Sequence, residues 1–130
     1  MIVVDASAML ELLLDTPLGP AVARRVFKGR ETLHAPHLLD VEVAQAVRRF
    51  VRSGELKAVR GLQAIEDLAD LSLTRYPHYP FLSRIWELRH SMTAYDAAYV
   101  ALAEALDAPL LTHDAALASA SGHHAEIDLI

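Results

Sequence analysis

Ile2-Val3-Val4-Asp5-Ala6-Ser7 is a short β-branched run that ends on a carboxylate. A run so short and so uniformly apolar reads as a strand buried on both faces, as in a parallel sheet. Ser7 is placed to cap a helix through about residue 15, with Met9, Leu10, Leu13 and Leu14 on its inner side. Pro17 or Pro20 opens a second helix that reaches Phe27 and stops at Gly29. Residues 32–35 form a weak strand before Pro36. Two long helices follow, over about residues 37–52 and 55–70, marked by Leu39, Val43, Ala46, Val47 and Phe50 and then by Leu56, Val59, Leu62, Ile65 and Leu68. Residues 71–73 read as a strand, residues 76–80 as a connector, and Ile85, Trp86 and Leu88 as part of a further helix. Thr93 caps a helix to about Leu106, residues 109–112 form a strand, Asp114 opens a short helix that Gly122 ends, and residues 126–130 close as a strand. Short apolar strands alternating with helices predict βαβ units and an α/β fold with a parallel sheet, in one domain spanning residues 1–130.

Composition narrows the function. The chain is 53% hydrophobic and 22% charged, which excludes a disordered polypeptide. It has no cysteine, so disulfides and thiolate metal sites are ruled out and a reducing cytoplasm is the expected setting. Asp5, Glu11 and Asp15 interrupt the apolar start, and neither a signal peptide nor a membrane span is expected. A formal charge of −5 argues against holding nucleic acid by bulk basicity, although not against reaching it through bound cations. The basic stretches at Arg24, Arg25, Lys28 and Arg30 and at Arg48, Arg49 and Arg52 read as solvated helix faces. The aromatic stretch from Tyr76 to Phe81, with Trp86, reads as packing or an interface.

In parallel α/β sheets, ligand sites lie outside the carboxyl ends of the strands. Asp5 ends the first strand and Asp114 follows the strand at residues 109–112. Asp96 lies in the first turn of its helix and Glu42 in the second turn of another. If those helices begin at the same edge, four carboxylates meet in one small volume, where they repel and raise one another's pKa unless a cation is present. Oxygen donors without Cys or a His pair suit Mg²⁺ or Mn²⁺ better than Zn²⁺. Ser7 and Thr112 stand beside Asp5 and Asp114 as hydrogen-bonding support. Each acid also has a plainer role open to it. Thr93 to Asp96 fits a capping box, Asp114 an N-cap and Glu42 a helix-dipole contact, whereas Asp5 has no evident capping role.

The same residues resemble a family. Val3-Val4-Asp5-Ala6-Ser7-Ala8 is similar to the opening motif of VapC-type PIN domains, and residues 36–44, with Glu42, to their second. Thr93-Ala94-Tyr95-Asp96-Ala97-Ala98-Tyr99 resembles the third motif and Leu111-Thr112-His113-Asp114-Ala115 the fourth. The resemblance implies a five-stranded parallel sheet of order 3-2-1-4-5 flanked by helices. It implies a Mg²⁺- or Mn²⁺-dependent endoribonuclease in which Asp5, Glu42, Asp96 and Asp114 hold the metal. It also implies a homodimeric toxin neutralised by a VapB-like antitoxin. Two other readings stand beside it: a PIN-like binding module without catalysis, and a nuclease acting on DNA. A haloacid-dehalogenase-like phosphatase fits poorly, because Ser7 stands where its second Asp belongs. A receiver domain fits no better, because Lys57 is the last lysine in the chain.

Overall fold

Five short strands pair in one wholly parallel sheet in the computed structural model, which describes residues 1–130. They are β1 (Ile2–Val4), β2 (Leu33–Pro36), β3 (Leu73–Tyr76), β4 (Leu110–Thr112) and β5 (Ile127–Leu129), in the order β3-β2-β1-β4-β5. That is the expected order. The helices are α1 (Ala6–Leu13), α2 (Gly19–Phe27), α3 (Leu38–Arg52), α4 (Ala58–Asp70), α5 (Leu82–Glu87), α6 (Ala94–Leu106) and α7 (Ala115–Ala118). None of them is long and apolar enough to cross a membrane.

Burial on both faces explains the strand sequences. Every residue of β1, β2 and β4 is buried, and Val3 is paired with His34 on one side and Leu110 on the other. One cluster of 25 buried residues joins the sheet to α1, α3 and α6. The middle of α6, Ala97 to Ala103, is buried on every side because it packs against β1, β2 and β4 together. Its start is set by Thr93, whose hydroxyl accepts the Asp96 N–H at 3.1 Å. Thr93→Ala should cost about 1 kcal/mol in chemical denaturation, with Thr93→Ser near neutral. Equal stability of Thr93→Ala and wild type would show that packing alone sets the helix start.

Several local expectations are corrected. Asp5 rather than Ser7 is the N-cap of α1, its Oδ1 accepting the Ala8 N–H at 2.9 Å. β3 begins at Leu73, where pairing with Leu33 starts, so Tyr76 belongs to the strand and not to a connector. α7 ends at Ser119, before Gly122. In α4 the inner face is made by Gly61, Ala64 and Leu68, while Val59 and Leu62 are exposed. Close approach of α3 is the reason: a Cβ on Gly61 would lie 2.9 Å from a Val51 methyl and 3.2 Å from one on Val47.

Candidate active site

Chain direction in a parallel sheet brings the acids together. Each strand ends at the same edge, and each helix that runs back between strands begins there. β1 delivers Asp5 and β4 delivers Thr112 and then Asp114 to that edge, while α3 and α6 start there and carry Glu42 and Asp96. Asp5, Ser7, Glu42, Asp96 and Asp114 all line one cavity of about 510 Å³.

The four carboxylates are held to different degrees. Asp5 is buried and nearly saturated. Besides the Ala8 N–H, its Oδ1 accepts the Ser7 hydroxyl at 2.7 Å and its Oδ2 accepts the Thr112 hydroxyl at 2.5 Å. Ser7 also lies 3.2 Å from the Thr112 hydroxyl and accepts the His113 N–H at 2.9 Å. Glu42 accepts the buried Tyr99 hydroxyl at 2.6 Å through Oε2. Asp114 caps α7, with Oδ1 accepting the Ala116 and Leu117 N–H groups at 2.8 and 3.3 Å. Asp96 completes only half of a capping box. Its N–H bonds Thr93, but no reciprocal bond from the Thr93 N–H ties down its carboxylate. Glu42 Oε1 and Asp114 Oδ2 are therefore available to a ligand, and the Asp96 carboxylate has only the Thr93 hydroxyl beside it.

Electrostatics report the crowding. The pKa values of Asp5, Glu42 and Asp96 are all raised. Burial is the main cause for each, and neighbouring acid charges add to it: Asp114 on Asp5, Asp5 and Asp96 on Glu42, and Asp114 and Asp5 on Asp96. A cation relieves both costs. The side chains nevertheless stand apart, with no three of them close enough to enclose one ion. The donors present are all carboxylate oxygens, the type that Mg²⁺ and Mn²⁺ take, one or two directly with water completing the shell.

The raised pKa values fix a sign. A carboxyl that holds its proton more tightly when folded lowers stability as pH rises above its unfolded value, and the loss is complete above its folded value. For Glu42 the loss starts near the ordinary value of 4.5. In EDTA, Glu42→Gln should therefore melt above wild type, with a gap that widens as pH rises above about 4.5. Taking the difference between the two proteins cancels His34 and Glu104, whose pKa values are lowered in the fold. A gap that narrows with pH would contradict this electrostatic picture.

Two contributors to the cavity were given no role by sequence reasoning, Tyr99, which holds Glu42, and Tyr95, which lines the cavity; Arg49, read from the sequence as part of a solvated helix face, lines it as well. Tyr95 and Tyr99 flank Asp96 at helical spacing, the one available signal. His113 turns away, its Nδ1 lying 2.6 Å from the Ile130 carbonyl oxygen.

The chain belongs to the PIN-domain family, whose pattern matches residues 2–122. Within that family it is VapC-like. It is 48% identical over 130 residues to Ribonuclease VapC12 of Mycobacterium tuberculosis, covering all of this chain and 99% of that one. It is 46% identical over 129 residues to Ribonuclease VapC1 of the same organism, covering 98% and 96% of the two chains. Among solved structures it superposes on PAE2754 from Pyrobaculum aerophilum with a TM-score of 0.75 and 25% identity, covering 99% of this chain and 83% of the other.

Proposed function

We propose that the chain, as one PIN domain over residues 1–130, is a Mg²⁺- or Mn²⁺-dependent endoribonuclease and the toxin of a type II toxin–antitoxin pair. The observation that carries this reading is the convergence of four carboxylates from four separate elements on one cavity, at a cost in pKa that a cation relieves. Catalytic and metal-holding roles fall to Asp5, Glu42, Asp96 and Asp114. Ser7 and Thr112 fix Asp5, and Tyr99 fixes Glu42. A bound ion would neutralise charge on the phosphodiester and ease deprotonation of a water. The protein's own part is positioning: three donors fix Asp5, while the Asp96 carboxylate has only the Thr93 hydroxyl beside it and is the less constrained acid. Similarity to proteins named ribonucleases favours RNA as substrate.

Partners follow from the same reading: a VapB-like antitoxin that blocks the cavity, and a second copy of the chain, acting in the cytoplasm. Tyr79, Leu82 and Trp86 are large, clustered in sequence and exposed, as an interface between copies requires. The test of the activity is to offer antitoxin-free protein a single-stranded RNA and a DNA of matched sequence, with Mn²⁺ and with EDTA. Cleavage of the RNA alone, and only with Mn²⁺, is the expected result. Cleavage of the DNA at a comparable rate would move the assignment to a general nuclease, and cleavage of neither would favour a binding module.

A further inference from the structure

The acid cavity contains one cation, Arg49, and one exposed aromatic ring at its rim, Tyr95. Arg49 stands seven residues after Glu42, two turns along the same face of α3 and about 10 Å along its axis. At that distance it does not neutralise the acids, and it enters none of the molecule's ion pairs. Arg25, Arg60, Arg75 and Arg84 are committed to ion pairs, and of the arginines outside any pair Arg49 is the one that lines this cavity. Arg49 is thus a guanidinium held beside an anionic cavity, with its five donors open to an anion that extends past the acids. Tyr95 immediately precedes Asp96, is 61% exposed and makes no hydrogen bond through its hydroxyl within the chain. A large ring left in solvent next to a reacting centre offers a face on which a base can stack.

We propose that Arg49 and Tyr95 are positioning residues for the RNA strand. Arg49 takes a backbone phosphate next to the one at the acids, and Tyr95 stacks on a base that has left its helix. The inference rests on the ribonuclease reading above and adds to it how the strand is held. Stacking requires an unpaired base, since a paired one keeps its faces covered by its neighbours.

The test measures steady-state cleavage of a labelled single-stranded RNA with Mn²⁺, together with fluorescence anisotropy of the same RNA. Arg49→Gln should raise KM about tenfold with kcat nearly unchanged, and should reduce the slope of log affinity against log salt by about 0.7. Tyr95→Ala should raise KM about tenfold as well, while Tyr95→Phe, which keeps the ring, should match wild type. A fully paired RNA of the same sequence should be a poor substrate. Arg48→Gln, on the exposed side of α3 and outside the cavity, serves as the control and should match wild type. If wild type cleaves but Arg49→Gln and Tyr95→Ala leave KM unchanged, the inference is overturned and the ribonuclease reading stands. Equal effects of Arg48→Gln and Arg49→Gln would reduce the arginine's role to bulk charge and overturn it too. If wild type does not cleave, the ribonuclease reading fails, and anisotropy on the intact RNA still decides whether Arg49 and Tyr95 hold the strand.

Discussion

Asp96→Asn is expected to reduce Mn²⁺-dependent RNA cleavage by more than about a hundredfold while leaving the metal-free protein at least as stable as wild type. The first half follows from position. Removing an outer-shell partner of a metal site typically costs roughly tenfold to a hundredfold, and the Asp96 carboxylate, with only the Thr93 hydroxyl beside it, lines the cavity where it can meet the ion directly. The second half follows from how α6 is capped. The bond that starts the helix runs from the Asp96 N–H to the Thr93 hydroxyl, and asparagine keeps that N–H. Without a cation the carboxylate itself is a burden, its pKa raised first by burial and then by the Asp114 charge. Replacing it with a neutral side chain of the same shape removes that repulsion. Cleavage within tenfold of wild type would remove Asp96 from the machinery. A clearly lower metal-free Tm would mean that its carboxylate caps the helix after all.

Arg84→Met is expected to be the most destabilising of the substitutions considered, by about 3 kcal/mol. Arg84, on α5, grips Glu104, on α6, with two parallel bonds, Nε to Oε2 at 2.7 Å and Nη2 to Oε1 at 2.9 Å. Nη2 also donates to the Gly122 carbonyl at 3.2 Å, tying the turn before β5 to the same pair. The Glu104 side chain is only 7% exposed, so removing the guanidinium leaves a largely buried carboxylate supported only by His124, through its N–H at 3.0 Å and its ring Nδ1 at 3.2 Å. Breaking one side of such a pair costs far more than the pair contributes, because the remaining charge is uncompensated. In a chain of this length the loss corresponds to a fall in Tm of roughly 10 °C. Arg84→Met combined with Glu104→Gln should recover a substantial part of it, a non-additivity that a double-mutant cycle reads directly. The pair also sets a pH trend. Arg84 holds the Glu104 pKa below its ordinary 4.5, so its contribution is fully present above that value and is lost as pH falls through the lowered one. A change below about 0.5 kcal/mol for Arg84→Met would place this bridge among the surface pairs that contribute nothing measurable.

The elements legible in the sequence are those whose pattern is local. Ile2-Val3-Val4 and Leu110-Leu111-Thr112 declare themselves as buried strands, and the edge rule then assigns Asp5 and Asp114 to one place. Glu42 and Asp96 follow once α3 and α6 are seen to start at the same edge. Less was legible where a residue's role depends on what packs against it. Val59 and Leu62 match the apolar period of α4, yet the helix turns Gly61 and Ala64 inward because α3 lies too close for larger side chains. Small residues leave no mark on an apolar period. Asp5 both ends a strand and caps α1, two roles that strand reading alone does not separate. The Tyr99–Glu42 bond joins residues 57 apart and the Arg84–Glu104 bridge residues 20 apart, so neither has a local signature. The structure therefore adds Tyr99 behind Glu42, and it shows the Ser7 and Thr112 hydroxyls, which the sequence already placed beside the acids, both bonded to Asp5.

The central claim, that four acids at one sheet edge act together as a metal-dependent ribonuclease, is tested most directly by mapping new 5′ ends in total cellular RNA. Antitoxin-free wild type would be incubated with Mn²⁺ beside two controls, EDTA and Asp96→Asn. A small set of discrete new ends, present only with wild type and Mn²⁺, is expected. Identical profiles from wild type and Asp96→Asn, or cleavage that persists undiminished in EDTA, would contradict it.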